Sequence, residues 1–160
     1  MNITIKENQH YKLYTNSTKN RIYFSIIGKI QDESQIPCFV EDWKRAISQV
    51  STNFTVLSDI RLMNLQSKKI EKLHEKVQSF LTENGLLETA EVMAMNDIAD
   101  LQASQMVEHS GMPTKKFQSI EEAESYLDTV VASLNKIKPM KRDDISLSDR
   151  QENNRKSDFK

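Results

Sequence analysis

Apolar and polar residues alternate along the first third of the chain, with a period that is typical of β-strands. The alternation runs through residues 3–5, 11–13 and 21–28, and a period of two places the apolar side chains of each segment on one face of a strand. Residues 16–20 consist of Asn, Ser, Thr and Lys, most of which favour turns. The pattern therefore predicts an antiparallel hairpin in which residues 10–15 pair with residues 21–28.

After this hairpin the apolar period changes to 3.6, which is typical of amphipathic helices. The first helical stripe consists of Ile36, Phe39, Val40, Trp43, Ile47 and Val50. Pro37 is suited to the first turn of this helix, because its missing N–H costs nothing there. Residues 54–60 form a short and largely apolar segment, which predicts the next strand.

The second half of the chain continues to alternate between helix and strand. A second amphipathic helix ends at the Asn-Gly pair of residues 84–85, which favours a left-handed helix stop, and residues 89–95 predict another strand. A third helix begins at Asn96 or Asp97, either of which can cap it, and ends at Gly111. Its apolar stripe is the weakest of the four and consists of Ile98, Leu101 and Met106.

The last two elements are a short strand at residues 114–117 and a well-marked helix. Ser119 and Glu122 have the spacing of a capping box, and Pro139 follows the end of the helix. Strands that alternate with helices over short connections indicate parallel crossovers. The sequence thus predicts an α/β fold: a mixed, mostly parallel sheet with an antiparallel N-terminal hairpin and about four helices.

The composition changes after residue 137. Residues 138–160 contain seven basic, five acidic and only four apolar residues, too few apolar groups to offset the entropy of ordering them. We therefore predict a single domain over residues 1–137 and a disordered charged tail over residues 138–160. The tail has a net charge of +2 (7 − 5), and the domain has a net charge of −3 (15 basic − 18 acidic).

Charge and composition argue against a nucleic-acid partner and against a membrane-spanning protein. The 160 residues have a net charge of −1, so the charge indicates no nucleic-acid partner. A single cysteine, Cys38, cannot form an internal disulfide, which favours a cytoplasmic location. No apolar run reaches the roughly 18 residues that a membrane span needs, and we expect no transmembrane segment.

The sequence contains none of the common motifs for catalysis or cofactor binding. Its three glycines lie too far apart for a glycine-rich phosphate-binding loop. The three histidines and the cysteine lack the close spacing of a zinc site, and no serine lies in a nucleophile-elbow motif. We therefore expect a protein that is not an enzyme and has neither a cofactor nor a metal, and we assign no chemistry to the histidines.

Four features between residues 54 and 128 occur in a characteristic order. A strand ends in Asp59 and Arg61, a long helix closes at residues 84–85, the next strand reads Thr-Ala-Glu-Val-Met-Ala-Met, and residues 111–127 form a short strand and a capped helix. In these features the chain resembles the SpoIIAA-like branch of the STAS superfamily, small bacterial domains akin to anti-sigma factor antagonists. The resemblance implies a mixed sheet with four helices. It also implies protein-partner switching or binding of a small ligand such as a lipid, and no catalysis.

Ser67 lies near the position at which family members that switch by phosphorylation share an Asp-Ser-Ser/Thr-Gly-like segment. Here the chain has neither the Asp-Ser pair nor the glycine. Ser67 is a candidate phosphoacceptor beside Lys68 and Lys69, and it is equally suited to cap the second helix.

Polar residues that follow two of the predicted strands form the candidate binding site. Asp59 and Arg61 end one strand, and Asn96 and Asp97 follow the next. The carboxyl ends of parallel strands meet at one edge, where open α/β sheets bind ligands. These four residues and Ser67 are therefore predicted to line one rim. An internal ion pair of Asp59 with Arg61, and helix capping by the other two, remain as alternatives.

Three methionines near the third helix, Met93, Met95 and Met106, are candidates for an apolar pocket, because methionine adapts to irregular surfaces. Core packing is the alternative. The weak stripe of that helix makes it the first place to expect an exposed apolar patch.

These observations favour a non-enzymatic regulatory or binding module that docks a protein partner or small ligand at the carboxyl edge of the sheet. A carrier of an apolar ligand such as a lipid is the alternative. An enzyme of unknown chemistry, which would use Asp59 and Arg61, is a third hypothesis. A homodimer is compatible with any of them.

Overall fold

The computed structural model describes residues 1–137, so the tail predicted over residues 138–160 lies outside the described residues. The chain divides into two units, Met1–Leu127 and Asp128–Lys160. All six strands, the first three helices and the start of the fourth belong to the first unit. The single domain over residues 1–137 remains a prediction.

Six strands form one mixed sheet whose spatial order follows the chain order. The strands are β1 (Asn2–Glu7), β2 (Tyr11–Asn16), β3 (Arg21–Gly28), β4 (Phe54–Met63), β5 (Leu86–Val92) and β6 (Thr114–Phe117). The first three strands are antiparallel, and β3 to β6 are parallel. This confirms the predicted mixed sheet with an antiparallel N-terminal hairpin.

Four α-helices follow the strands, as the sequence predicts. They are α1 (Phe39–Ser48), α2 (Lys68–Glu83), α3 (Asp97–Ser110) and α4 (Ile120–Ile137). The glycines predicted to stop α2 and α3 both have positive φ, 97° at Gly85 and 73° at Gly111, a conformation that glycine adopts without steric cost.

The helices pack on opposite faces of the sheet. On one face, side chains of α1, α2 and α3 form a large core with β-strand residues such as Phe24 and Val56. On the other face, Ala123 and Leu127 of α4 pack against Leu57 and neighbouring strand residues. The carboxyl ends of β3, β4 and β5 therefore lie at one edge of the sheet, between these layers.

Helix α1 begins at Phe39, so Ile36, which the sequence places on its stripe, and Pro37, which the sequence places in its first turn, both lie before the helix. Ile36, the first residue of the predicted stripe, instead ends a short 3₁₀ turn, Glu33–Gln35, which has its own capping box at Asp32. The physical reason is Pro37, which disfavours helical backbone at the residue before it. Ile36 is nevertheless buried in the core.

Strand β5 begins and ends three residues earlier than predicted. Beyond Val92 the chain leaves the regular ladder but keeps hydrogen bonds to both neighbours. The N–H of Met93 donates to the carbonyl of Phe117 (2.9 Å), and the N–H of Met95 donates to the carbonyl of Arg61 (3.1 Å). The methionine segment therefore forms part of the edge of the sheet.

Candidate functional site

The end of β4 and the segment that follows β5 meet at the carboxyl edge of the sheet, where the N–H of Met95 donates to the carbonyl of Arg61. Asp59 and Arg61, which the sequence places at the end of a strand, lie within β4, because that strand continues to Met63. Since β4 and β5 are parallel neighbours, residues 59–67 and 96–97, which the sequence assigns to one rim, lie towards the same edge of the sheet. This edge is the candidate functional site.

Asp59 and Arg61 form a two-point ion pair within β4. Asp59 Oδ1 accepts from Arg61 Nε and Oδ2 accepts from Nη2, each at 2.9 Å. Partial burial would raise the pKa of Asp59, but the hydrogen bonds from Arg61 outweigh it and hold the pKa below its usual range. The carboxylate is therefore charged and already bound, as in the ion-pair alternative left open by the sequence.

Ser67 and Asn96 cap the two helices that begin at this edge. Ser67 Oγ accepts from the N–H of Ile70 at 3.3 Å, and Asn96 Oδ1 accepts from the N–H of Ala99 at 3.0 Å. Asp97 is the first residue of α3 and is exposed. The side chains of Ser67 and Asn96 thus satisfy N–H groups that helix starts leave without partners.

A buried pair of glutamines fixes the shape of the edge. The N–H of Gln66 donates to Gln102 Oε1 at 2.8 Å, and Gln102 Nε2 donates to the carbonyl of Gln66 at 3.0 Å. Gln66 Nε2 also donates to the carbonyls of Gly28 and Asn64, at 2.9 and 2.7 Å. The Gln66 side chain thus joins the end of β3 to the loop after β4, and the Gln102 side chain joins the backbone of that loop to helix α3. The sequence analysis missed both glutamines, because an isolated Gln carries no periodic or motif signal.

Exposed apolar side chains concentrate at the same edge. Of the nine large hydrophobic residues that are exposed in residues 1–137, six lie here. They are Ile27, Leu62, Leu65, Met95, Ile98 and Leu101. The other three lie near the ends of the described chain, at Met1, Ile3 and Ile137. We call the six residues the rim surface.

Helix α3 presents to solvent two residues that the sequence analysis placed on its buried stripe. Met106 is buried, but Ile98 and Leu101 are 63% and 60% exposed, so the predicted stripe is wrong for these two residues. The buried face of α3 instead carries Ala99 and Ala103. Both alanines belong to the core cluster, and their small side chains give a weaker apolar periodicity than those of Ile98 and Leu101. The expected exposed patch on this helix is therefore present.

A groove of about 300 Å³ runs between the first turns of α2 and α3. Leu65, Ile98 and Leu101 form its apolar lining, and the Gln66–Gln102 pair lies beside them. Lys68 and Glu71 contribute charged groups from α2 to the same groove. The groove is thus an apolar depression with a polar border.

The structure places the three candidate methionines in different environments. Met106 is 3% exposed and belongs to the core, whereas Met95 is 77% exposed and belongs to the rim surface. Met93, which precedes both along the chain, is half-buried. Core packing therefore accounts for Met106, and only Met95 is available at the surface.

Glu71, Glu75 and His109 are the described residues that could hold a metal ion. One ligand atom from each lies within 4.8 Å of the others, and His109 Nδ1 is 2.9 Å from Glu75 Oε2. The histidine and the two glutamates come from α3 and α2, which lie far apart in sequence. Only the four-residue spacing of the glutamates was visible beforehand, and it is common on helices.

The comparisons with known proteins identify no relative: no family model, curated protein or solved structure matches the chain. Within residues 1–137, no helix has the length and apolar character that a membrane crossing requires. The functional argument therefore depends on the chemistry of the rim surface.

Proposed function

We propose that this chain is a non-enzymatic binding module that docks a protein partner on the rim surface, in a regulatory role of the kind that the STAS-like resemblance implies. The observation that carries the proposal is the concentration of six of the nine exposed large hydrophobic residues at one edge. Scattered single apolar residues need no explanation, but a concentration of them at the carboxyl edge of parallel strands, where open α/β sheets bind ligands, is typical of an interaction site.

The rim surface combines the features that stable protein interfaces use. Apolar side chains at its centre gain about 25 cal/mol for each Å² removed from water. The Asp59–Arg61 ion pair, Lys68 and the exposed Asp97 provide polar groups around it, as in the polar rim of an interface. The helix caps and the glutamine pair hold its loops in place, which reduces the entropy lost on docking.

A protein partner suits this surface better than an enclosed lipid does. A carrier needs an internal volume lined by apolar groups, whereas the groove is an open depression with charged and amide groups at its border. Catalysis by Asp59 and Arg61 has less support, because the two side chains are already paired with each other.

The proposal is tested with the variants Ile98→Lys and Leu101→Lys in the full chain. Both residues are more than half exposed, so the folded state should tolerate lysine, whereas burial of its charge in an apolar interface is costly. We expect each variant to recover at least tenfold less partner from an extract of the native host, a loss of about 1.4 kcal/mol in binding.

Ile137→Lys is the matched control, since Ile137 is also helical and 76% exposed but lies outside the rim surface. It should recover the same partners as the unmodified chain. All three variants should melt within about 2 °C of the unmodified protein. Equal recovery by the two rim variants and the control would contradict docking at this edge.

A further inference from the structure

A small cavity lies between α1, α2 and the sheet, away from the rim surface. Its volume is about 40 Å³. Apolar side chains such as Phe24 and Val56 form part of its wall, and none of its ten lining residues is Asp, Glu, Lys or Arg. Five of the lining residues carry polar side-chain atoms: Trp43, Ser58, His74, Gln78 and Thr89.

Three of these five polar side chains are buried and lack hydrogen-bond partners. Trp43 is 3% exposed, His74 is 7% exposed and Thr89 is 1% exposed. Within residues 1–137, only four buried side-chain nitrogen or oxygen atoms have no partner, and three of them are Trp43 Nε1, His74 Nε2 and Thr89 Oγ1. Their coincidence at one cavity is the central observation, because buried polar groups in folded proteins are nearly always hydrogen-bonded.

The donor and acceptor properties of these three groups determine which guest could form hydrogen bonds with them. The indole N–H of Trp43 only donates, so a guest must offer an acceptor, and the Thr89 hydroxyl can donate or accept. Burial lowers the pKa of His74 to about 4, so at neutral pH its ring is uncharged. Ser58 adds a hydroxyl to the lining, and Gln78 adds an amide whose Oε1 already accepts from Ser110 Oγ at 2.7 Å. A neutral site with one obligatory donor beside several groups that can donate or accept suits an oxygen that does both.

Size restricts the guest further. A single water needs about 10–15 Å³ of such space, whereas an apolar cavity that binds benzene measures about 150 Å³. The 40 Å³ present here therefore fits two or three waters or a short alcohol. It excludes an acyl chain or an aromatic ring.

We propose that this cavity is a binding site for a small neutral hydroxyl-bearing guest, either water or a short-chain alcohol, whose oxygen accepts from the indole N–H of Trp43 and exchanges hydrogen bonds with Thr89 and His74. This proposal does not depend on docking at the rim surface, because the variants that test the cavity differ from those that test the rim surface.

The first test is whether the variant Thr89→Val melts at a lower or a higher temperature than the unmodified protein. This substitution keeps the shape of the side chain and removes the hydroxyl. If a guest bridges the hydroxyl, the variant loses that hydrogen bond, and the melting temperature falls by about 3 °C. If the cavity is dry, removal of an unsatisfied polar group raises the melting temperature, which would overturn the proposal. Thr55→Val is the reference variant, because it removes a hydroxyl whose hydrogen bond is present in the structure: buried Thr55 Oγ1 accepts from Arg21 Nε at 2.8 Å. Its fall in melting temperature shows how much the loss of one such hydrogen bond costs.

The second test identifies the guest by NMR of the full chain. Trp43 is the only tryptophan, so the single indole N–H signal reports on this cavity. A cross-peak from that N–H to a long-lived water identifies water as the guest. A saturable shift of the signal with added methanol or ethanol, lost in Thr89→Val, identifies an alcohol. The absence of both signals would overturn the proposal.

Discussion

At the scale of single residues, Glu91 on β5 is a carboxylate in an unfavourable environment. Its side chain is 5% exposed and its Oε1 has no hydrogen-bond partner. Burial raises the pKa of Glu91 to about 7, even though Lys116 lowers it and Asp100 raises it only slightly further. Lys116 already binds Asp100 at 2.9 Å, which explains why its charge compensates Glu91 only in part.

This carboxylate should make the protein less stable as the pH rises. Between the ordinary pKa of 4.5 and the folded-state pKa of about 7, the folded chain binds the proton more tightly than the unfolded chain does. The free energy of unfolding therefore falls across that window, by about 3 kcal/mol from this group. Glu91→Gln should remove this loss and raise the free energy of unfolding at pH 8, as measured by urea unfolding from pH 4 to pH 8.

His74 has the opposite effect on the pH dependence of the free energy of unfolding, and this effect should become visible once Glu91 is replaced. Its pKa falls from 6.5 to about 4 on burial, so its contribution to stability is present above pH 6.5 and is lost as the pH falls towards 4. The two slopes offset each other in the unmodified protein. In Glu91→Gln the free energy of unfolding should therefore rise from pH 4 to about 6.5 and then level off. A variant that still loses stability between pH 5 and 7 would contradict the assignment to Glu91.

Local patterns revealed some of these residues and missed others. Ser67 and Asn96 were predicted as site candidates because each stands where a helix begins, a position that is visible in sequence. Asp59 was predicted at a strand end, although β4 continues to Met63. The pairing of Gln66 with Gln102 joins residues 36 positions apart, so no local pattern could reveal it. The lack of a hydrogen-bond partner at Glu91 Oε1 likewise depends on which distant segments pack around that side chain.

At the scale of elements, Ser67 determines how α2 begins. Ser67→Ala removes the side-chain acceptor of the Ile70 N–H and should lower the free energy of unfolding by about 1 kcal/mol. Ser67→Asp restores an acceptor and places a negative charge at the helix start, where it is favourable, so stability should return. Urea unfolding at pH 7 measures both changes.

The control for the cap lies within the same helix. Ser79 is an interior residue of α2, and Ser79→Ala should leave stability unchanged or slightly raised, because alanine is the better helix former. If Ser67→Ala and Ser79→Ala have the same free energy of unfolding, the Ser67 cap contributes no stability. Phosphorylation would then be the remaining candidate role of Ser67.

Besides its apolar contacts with the sheet, helix α4 has a carboxylate, Glu124, that binds several side chains of the N-terminal hairpin and that the apolar pattern did not reveal. Glu124 accepts from Tyr23 Oη at 2.7 Å and from Lys19 Nζ at 2.8 Å, and it also pairs with Arg21. Partial burial would raise the pKa of Glu124, but these donors outweigh it and lower the pKa. The capping box and the apolar stripe predicted that this helix exists, whereas the partners of Glu124 lie about 100 positions earlier.

At the scale of the whole molecule, the alternation of strands and helices was enough to predict the architecture. Short parallel crossovers between successive strands give a sheet whose order follows the chain, as observed. The rim surface was only partly predictable. Ile98 and Leu101 are residue types typical of a protein core, and they face solvent because the buried side of α3 carries Ala99 and Ala103 instead.

At the same scale, residues 138–160 should add little to the stability of residues 1–137, which we call the body. Those 23 residues contain only four apolar side chains, against seven basic and five acidic ones, so they could bury little apolar area on the body. A chain that ends at Ile137 should therefore melt within about 2 °C of the full chain and keep the partner recovery of the rim surface. A fall of several degrees in the melting temperature would show that the segment packs on the body. Loss of partner recovery without that fall would instead make the segment part of the docking site.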